Sequence, residues 1–355
     1  MDEKKQKLIR NVILGLAGFT VLIGLGYLLL TWNQPLNSPL DLSEYTEGTE
    51  NITQAPENEN STLETEIALA PTLEPVCGGP PVLNILVSGV ASNDYLYGLA
   101  DAIRVVRVDF QTKKVSVLAL PRDLWVDIPG LESRGITVGK LNQAYFYGTE
   151  GMGYFSESGY GSGLLAETLY VNFGYTADRY LAVNLNSFST IIDTLGGIDV
   201  YLANDVYKKE FEQPVLFLKA GSHHLDGKQA ESLARQRITI GDLGRINNQT
   251  IILKALAVKI LSPTGVAALP ALIDQLKSNV QTDLSPADIS QLVCLAGMLN
   301  YEEDINYLSL PDDSMFEQMV YDPARGINTA ALVVDKERII QLMIEFQNGP
   351  SANNQ

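Results

Sequence analysis

An apolar run over residues 8–30, broken only by Arg10 and Asn11, leaves this chain few options. At about 1.5 Å per residue it is long enough to cross a hydrocarbon core of roughly 30 Å as one helix. Lys4, Lys5, Lys7 and Arg10 sit at or before its start, and no cation follows until Arg104. The positive-inside bias therefore places residues 1–7 in the cytoplasm and everything after residue 30 outside it. The run exceeds a signal-peptide core of about 7–15 residues, and no small-x-small cleavage site follows closely. It reads as a retained single-pass anchor in the cell membrane.

Beyond the anchor, charge is distributed unevenly. The formal net charge of the 355 residues is −17, and residues 31–80 carry nine acids with no Lys or Arg. A stretch of Asn, Glu, Thr and Pro with few large apolar side chains cannot repay the entropy of ordering, so residues 31–81 are expected to be a disordered acidic tether. The acidic balance of the remainder argues against nucleic acid as a partner, which would call for a basic face. Cys77 and Cys294 are an even count in an exported chain. A disulfide is open to them, and so is a small core role for Cys294 inside the apolar run around it.

Residues 82–347 read as one domain, with 348–355 a disordered tail. Short β-branched runs at 82–90, 103–110, 115–121 and 179–185 predict strands. Apolar residues at helical spacing predict helices at 164–174, 186–197, 242–261, 287–299 and 336–347, the second ending at Gly196-Gly197. The expected fold is α/β: a single extracytoplasmic domain with a central mixed β-sheet flanked by helices on both faces, behind one N-terminal transmembrane helix. The Gly-rich segment 151–163 reads as a surface loop, and His223-His224 as a loop ahead of a helix.

Cations gather at one place in this acidic domain. Arg235, Arg237 and Arg245 surround Asp242 within residues 234–250. On a helix starting near 242, Asp242, Arg245 and Gln249 fall on one stripe, and Arg235 and Arg237 at alternate positions of an extended segment point to one side. Such a cluster at a helix start suits a multiply charged anion; a surface salt-bridge network of the arginines with Asp242 and Glu231 is the competing reading. Arg122 and Asp123 follow a strand end, where open α/β sheets gather ligands, and Lys140 with Asn142 lies in a further polar segment.

In order and spacing, the segments NILVSGV, DAIRVVRVDF, PRDLWVDIPG, GKLNQAYFYG, IDTLGGIDV, LDGKQAESLARQR and DLGRINNQ resemble the LytR-CpsA-Psr family, enzymes that attach glycopolymers to bacterial cell walls. The resemblance implies a magnesium-binding aspartate at Asp101. It implies pyrophosphate-binding groups at Arg122, Lys140, Arg235, Arg237, Arg245 and Gln249, and a catalytic set of Asp101, Arg122, Asp242 and Arg245. The cofactor would be Mg²⁺. The partners would be a polyprenyl-pyrophosphate-linked glycan, peptidoglycan or another envelope glycan as acceptor, and the membrane. Three positions depart from the family pattern: its motif arginine is Leu99, an expected acid is Ala91 with Asp94 three residues on, and a cation before Gln249 is Asn248.

Other chemistries lack their parts. There is no G-x-x-x-x-G-K-[ST] phosphate loop and no Cys/His cluster, and neither histidine is evidently paired with a serine. Two functions stay open at this level: a phosphotransferase for envelope glycopolymers, or a protein that binds lipid-linked or wall glycans without turning them over.

Overall fold

The computed structural model describes residues 31–43, 73–211, 213–237 and 241–349. The expected anchor at 8–30 and the tail from 350 lie outside the described residues. Among those described, no helix is long and apolar enough to cross a membrane.

The strands are β1 (Val82–Val90), β2 (Ala100–Asp109), β3 (Lys114–Leu120), β4 (Trp125–Asp127), β5 (Val138–Lys140), β6 (Arg179–Asn184), β7 (Ile198–Leu202), β8 (Val206–Glu210), β9 (Gln213–Leu218), β10 (Gly221–Leu225), β11 (Gln281–Thr282), β12 (Ile305–Ser309), β13 (Met315–Asp322) and β14 (Ile327–Val334). Six form the central sheet in the order β11-β6-β1-β2-β3-β12. It is mixed: β1, β2 and β3 are antiparallel neighbours, while β6 runs parallel to β1 and β12 parallel to β3.

The main helices are α1 (Leu141–Tyr147), α2 (Gly161–Phe173), α3 (Leu185–Thr194), α4 (Gly227–Arg235), α5 (Gly241–Leu261), α6 (Pro263–Asn279), α7 (Pro286–Ala296) and α8 (Lys336–Asn348). Alternation along the strands sends side chains to both faces. Leu86, Ile103, Val105 and Leu118 pack with Leu165 and Phe173 of α2 and Met343 of α8, while Leu83, Ile85 and Val108 pack with Leu284, Ile289 and Leu295. A further cluster joins α3, α4 and α5 to the β7–β10 ribbon through Ile192, Val200, Leu233 and Ile252. The α/β expectation, with helices on both faces of a mixed sheet, is therefore met.

Three local expectations change or hold for a visible reason. The Gly-rich segment ends inside the first turn of α2, where a Cβ on Gly163 would lie 2.2 Å from the Ser158 carbonyl oxygen and one on Gly161 2.7 Å from that of Tyr145. Glycine there permits close packing. His223 and His224 are strand residues in β10, with His224 opposite Asp199 of β7 and Nδ1 2.7 Å from its carboxylate. The Gly196-Gly197 turn is as expected, with φ of +76° and +87° that favour glycine.

Of the expected tether, residues 31–43 and 73–81 are described, and 44–72 lie outside the described residues. Residues 31–43 lie along the domain: Ala287 N donates to Trp32 O, Asn37 Nδ2 to Thr282 O and Leu40 N to the buried Asp283 carboxylate. Asp283 also accepts from Tyr180 N at 2.7 Å. At the other end, Val76 N donates to Phe110 O, and Cys77 is disulfide-bonded to Cys294. A few leucines outweigh the polar average here, since Leu42 is 8% exposed within the main core. Leu42→Ala should cost about 2 kcal/mol in denaturant unfolding, as expected for a buried leucine. An unchanged midpoint would return these residues to the tether.

Candidate active site

The site is assembled where β2 begins, β3 ends and α5 starts. Asp101, second residue of β2, is its hub. Arg122 leaves β3 and its Nη1 donates to Asp101 Oδ1 at 2.6 Å, while Asn142 Nδ2 lies 3.4 Å from the same oxygen. From α5, Arg245 Nη1 lies 3.6 Å from Asp101 Oδ2, and Arg237 Nη2 lies 3.5 Å from it. Arg245 is 2% exposed.

A second carboxylate extends the network. Asp123 Oδ2 is 3.4 Å from Arg122 Nε, and its Oδ1 accepts from Lys140 Nζ at 2.8 Å. The β4–β5 pairing, with Trp125 opposite Lys140, brings these segments together, and Asn142 N donates to Arg122 O. Lys140 is also the N-cap residue of α1. Arg122, Lys140, Arg237 and Arg245 thus gather around the carboxylates of Asp101 and Asp123, a cluster whose guanidiniums and ammonium suit an anion.

Arg235 differs from its expected setting. It is the last residue of α4 rather than part of an extended pair: the helix that Asp226 and Gln229 start with a capping box runs on to Arg235, and the backbone becomes extended only at Gln236. Its Nη1 donates to Glu231 Oε1, one turn back, and its side chain is 61% exposed. Of the two, Arg237, beyond the helix end, is the one that reaches Asp101. Asp242 falls in the first turn of α5, and its side chain lies outside those described.

The departures from the family pattern can be placed. Asn248 is buried with Nδ2 3.5 Å from Leu233 O, tying α5 to α4. Asp94 Oδ1 accepts from Leu96 N and Ser92 Oγ within its own exposed turn.

Two cavities meet at this cluster. One, of about 580 Å³, is apolar, with Val87, Leu181, Phe188 and Leu256 among its walls and Asp101, Arg237 and Arg245 at its polar part. The other, of about 1030 Å³, is bordered by Arg122, Asp123 and Lys140 and carries Tyr147, Tyr154 and Arg134. The two tyrosine rings stack at 6.4 Å, and the Arg134 guanidinium lies 4.2 Å from the Tyr154 ring centre. The Arg122–Asp101 ion pair stands between the cavities. The arrangement can hold an amphiphile by an anionic head, with its apolar part in one cavity and a polar chain in the other.

Sequence reasoning missed Arg104. It is a buried arginine of β2 on the apolar cavity, whose Nη2 donates to Gln249 Oε1 at 3.1 Å. The signal was available: an arginine inside a strand of a sheet covered on both faces has no solvent to point to.

The family model of the LytR_cpsA_psr family matches residues 46–337. The chain belongs to this family. The regulatory protein MsrR of Staphylococcus aureus (strain COL) is 28% identical over 267 residues, 74% of each chain. The polyisoprenyl-teichoic acid–peptidoglycan teichoic acid transferase TagU of Oceanobacillus iheyensis is 32% identical over 214 residues, 59% of this chain and 62% of that one. The crystal structure of Bacillus subtilis TagV superposes with a TM-score of 0.59 at 25% identity, over 75% of this chain and 97% of that one. TagT bound to LIIa-WTA shares the fold, with a TM-score of 0.56 at 20% identity over 76% and 90% of the respective chains.

Proposed function

We propose that this chain is a membrane-anchored phosphotransferase that moves a glycopolymer from a polyprenyl-pyrophosphate carrier to a hydroxyl of peptidoglycan or another envelope glycan. The observation that carries the reading is the convergence of Arg122, Arg237 and Arg245 on Asp101 beside an apolar cavity. That pairing of cations and apolar walls matches a lipid with a pyrophosphate head, and relatives named as teichoic acid transferases support the reaction class.

In the reaction, an acceptor oxygen bonds to the glycan-side phosphorus, the bond from that phosphorus to the bridging oxygen breaks, and polyprenyl phosphate leaves with the electron pair. Little covalent chemistry falls to the protein. Arg122, Arg237 and Arg245 hold the pyrophosphate and offset its developing charge. Asp101 keeps these guanidiniums together before donor arrives. Asp242 is the candidate to take the acceptor's proton. The stacked tyrosines and Arg134 offer sugar faces and acidic groups a surface beside the reacting phosphate.

Magnesium fits this donor set in one way. Among the described residues no group of three His, Cys, Asp or Glu side chains could hold a metal, but Mg²⁺ commonly takes one or two carboxylates with phosphate and water oxygens. Asp101 Oδ2, with its nearest cations at 3.5 and 3.6 Å, is suited to be that carboxylate. When bound there, the ion would neutralise charge on the phosphate oxygens.

The test is turnover of a synthetic lipid-pyrophosphate-linked glycan. Transfer to an envelope glycan is expected; binding without transfer would favour the second reading, a glycan-binding protein, which the nonpolar Leu99 and Ala91 support. Arg237→Ala should weaken donor binding about tenfold or more, and Arg237→Lys should recover only part because it lacks the bidentate fork. Arg235→Ala should change it little, since an exposed pair is worth about 0–1 kcal/mol. Equal effects at both positions would restore the paired-arginine reading. For topology, protease added outside intact cells should reach the domain; a domain shielded until lysis would overturn the anchor orientation.

A further inference from the structure

Two arginines of β2 lie three residues apart and are almost equally buried, yet among the described residues only one has a countercharge. Arg107, 7% exposed, pairs with Asp109 at 3.0 Å and donates to Gln347 O. Arg104, 4% exposed, donates to Ile103 O and Gln249 Oε1, and among the described residues no carboxylate lies within ion-pair distance of it. Its charged neighbour is Arg245, another cation. Burial and that repulsion bring its pKa down to about 10, so it stays charged at neutral pH. An uncompensated buried charge is costly, and a well-packed apolar residue would remove the cost.

The location indicates what repays it. Arg104 stands opposite Val87 of β1, which in turn is opposite Leu181 of β6, so the row Leu181–Val87–Arg104 crosses three strands on the wall of the apolar cavity. Helix α5 runs over β2 in matching order: Arg245 faces Asp101, and Gln249, one turn on, meets Arg104. Along the strand, Arg104 is about 10 Å beyond Asp101. Gln249 presents its oxygen to the guanidinium and so holds it in place, while its Nε2 lies 3.4 Å from Ala234 O.

We propose that Arg104, oriented by Gln249 and acting with Arg245, forms a second anion subsite inside the apolar cavity that takes the phosphate of a lipid monophosphate. The inference rests on the donor reading above and adds to it a division of labour. Arg122, Arg237 and Lys140 serve the phosphate that is transferred, whereas Arg104 serves the phosphate that stays with the lipid and leaves with it. The free lipid monophosphate is then a ligand in its own right and a product inhibitor.

The experiment measures binding of farnesyl monophosphate, farnesyl pyrophosphate, farnesol and inorganic phosphate to wild type, Arg104→Met and Arg104→Lys, together with thermal unfolding of each. Wild type should bind farnesyl monophosphate at least about tenfold more tightly than inorganic phosphate, because chain and phosphate are held together. Arg104→Met should lose about tenfold or more in farnesyl monophosphate affinity, as expected for a hydrogen bond to a charged group, with farnesol unaffected and the melting temperature equal or higher. Arg104→Lys should recover part of the loss. A methionine variant that melts early yet binds farnesyl monophosphate like wild type would make Arg104 a structural residue and overturn the proposal, leaving the donor reading intact. Inorganic phosphate bound as tightly as the lipid form would overturn the lipid assignment. A wild-type protein that binds neither farnesyl phosphate would overturn this inference and the donor reading together.

Discussion

Asp101→Asn should leave a folded protein that binds a lipid pyrophosphate at least as tightly as wild type and transfers its glycan orders of magnitude more slowly. The substitution keeps the shape of a partly exposed side chain and removes the carboxylate that faces Arg122, Arg237 and Arg245 together. With the countercharge gone, the guanidiniums have more to gain from the donor's phosphates. Turnover has the opposite sensitivity, because the same carboxylate is the proposed magnesium ligand and sets the arginines' positions. Donor titration and single-turnover transfer, each with and without chelator, read the two effects separately. Unchanged transfer, or transfer indifferent to chelator in wild type, would remove Asp101 from the chemistry.

Breaking the Cys77–Cys294 bond should lower stability markedly without touching the site. The disulfide joins residues 217 apart in sequence. Closing a loop of that length removes about 5 kcal/mol of unfolded-chain entropy in the simple model, and measured values of roughly 2–4 kcal/mol are typical. For a domain of this size each kcal/mol moves the melting temperature by about 2–4 °C, so the Cys77→Ser/Cys294→Ser double variant should melt roughly 4–16 °C lower. Donor binding should persist below that temperature, since the bond ties α7 to the segment ahead of β1, on a different part of the sheet from Asp101. A melting curve indifferent to the substitution and to reductant would show that the two segments are held by packing alone.

Much of the domain is legible in the sequence because its signals are local. The β-branched runs of β1, β3 and β6 fall within a residue of their structural bounds, and the Gly196-Gly197 turn sits where the backbone favours glycine. Arg122, Lys140, Arg237 and Arg245 stand out from their neighbours in sequence, and all four lie around Asp101 and Asp123. Arg235 departs from its expected extended segment because the helix that begins at the Asp226–Gln229 capping box runs on to it, and the backbone becomes extended only at Gln236. Residues 31–43 depart from theirs for another reason. Their average polarity predicts a coil, but folding is decided by where Leu36, Leu40 and Leu42 find cover, and part of that cover comes from segments more than two hundred residues away, around Asp283 and Leu284.

Periodicity, turn chemistry and charge along the chain specify the elements, their order and the gathering of cations at one place, since each depends on interactions between residues near in sequence. Which of the two cysteine fates holds, which arginine of the pair meets Asp101, and that Arg104 meets Gln249 on the wall of a cavity depend on groups brought together from distant segments. Arg107 has its countercharge two residues on, at Asp109 of the same strand face, whereas Val106 stands at that place relative to Arg104; the packing of α5 against one sheet face and α8 against the other then gives Arg104 the Gln249 amide and Arg107 the Gln347 carbonyl.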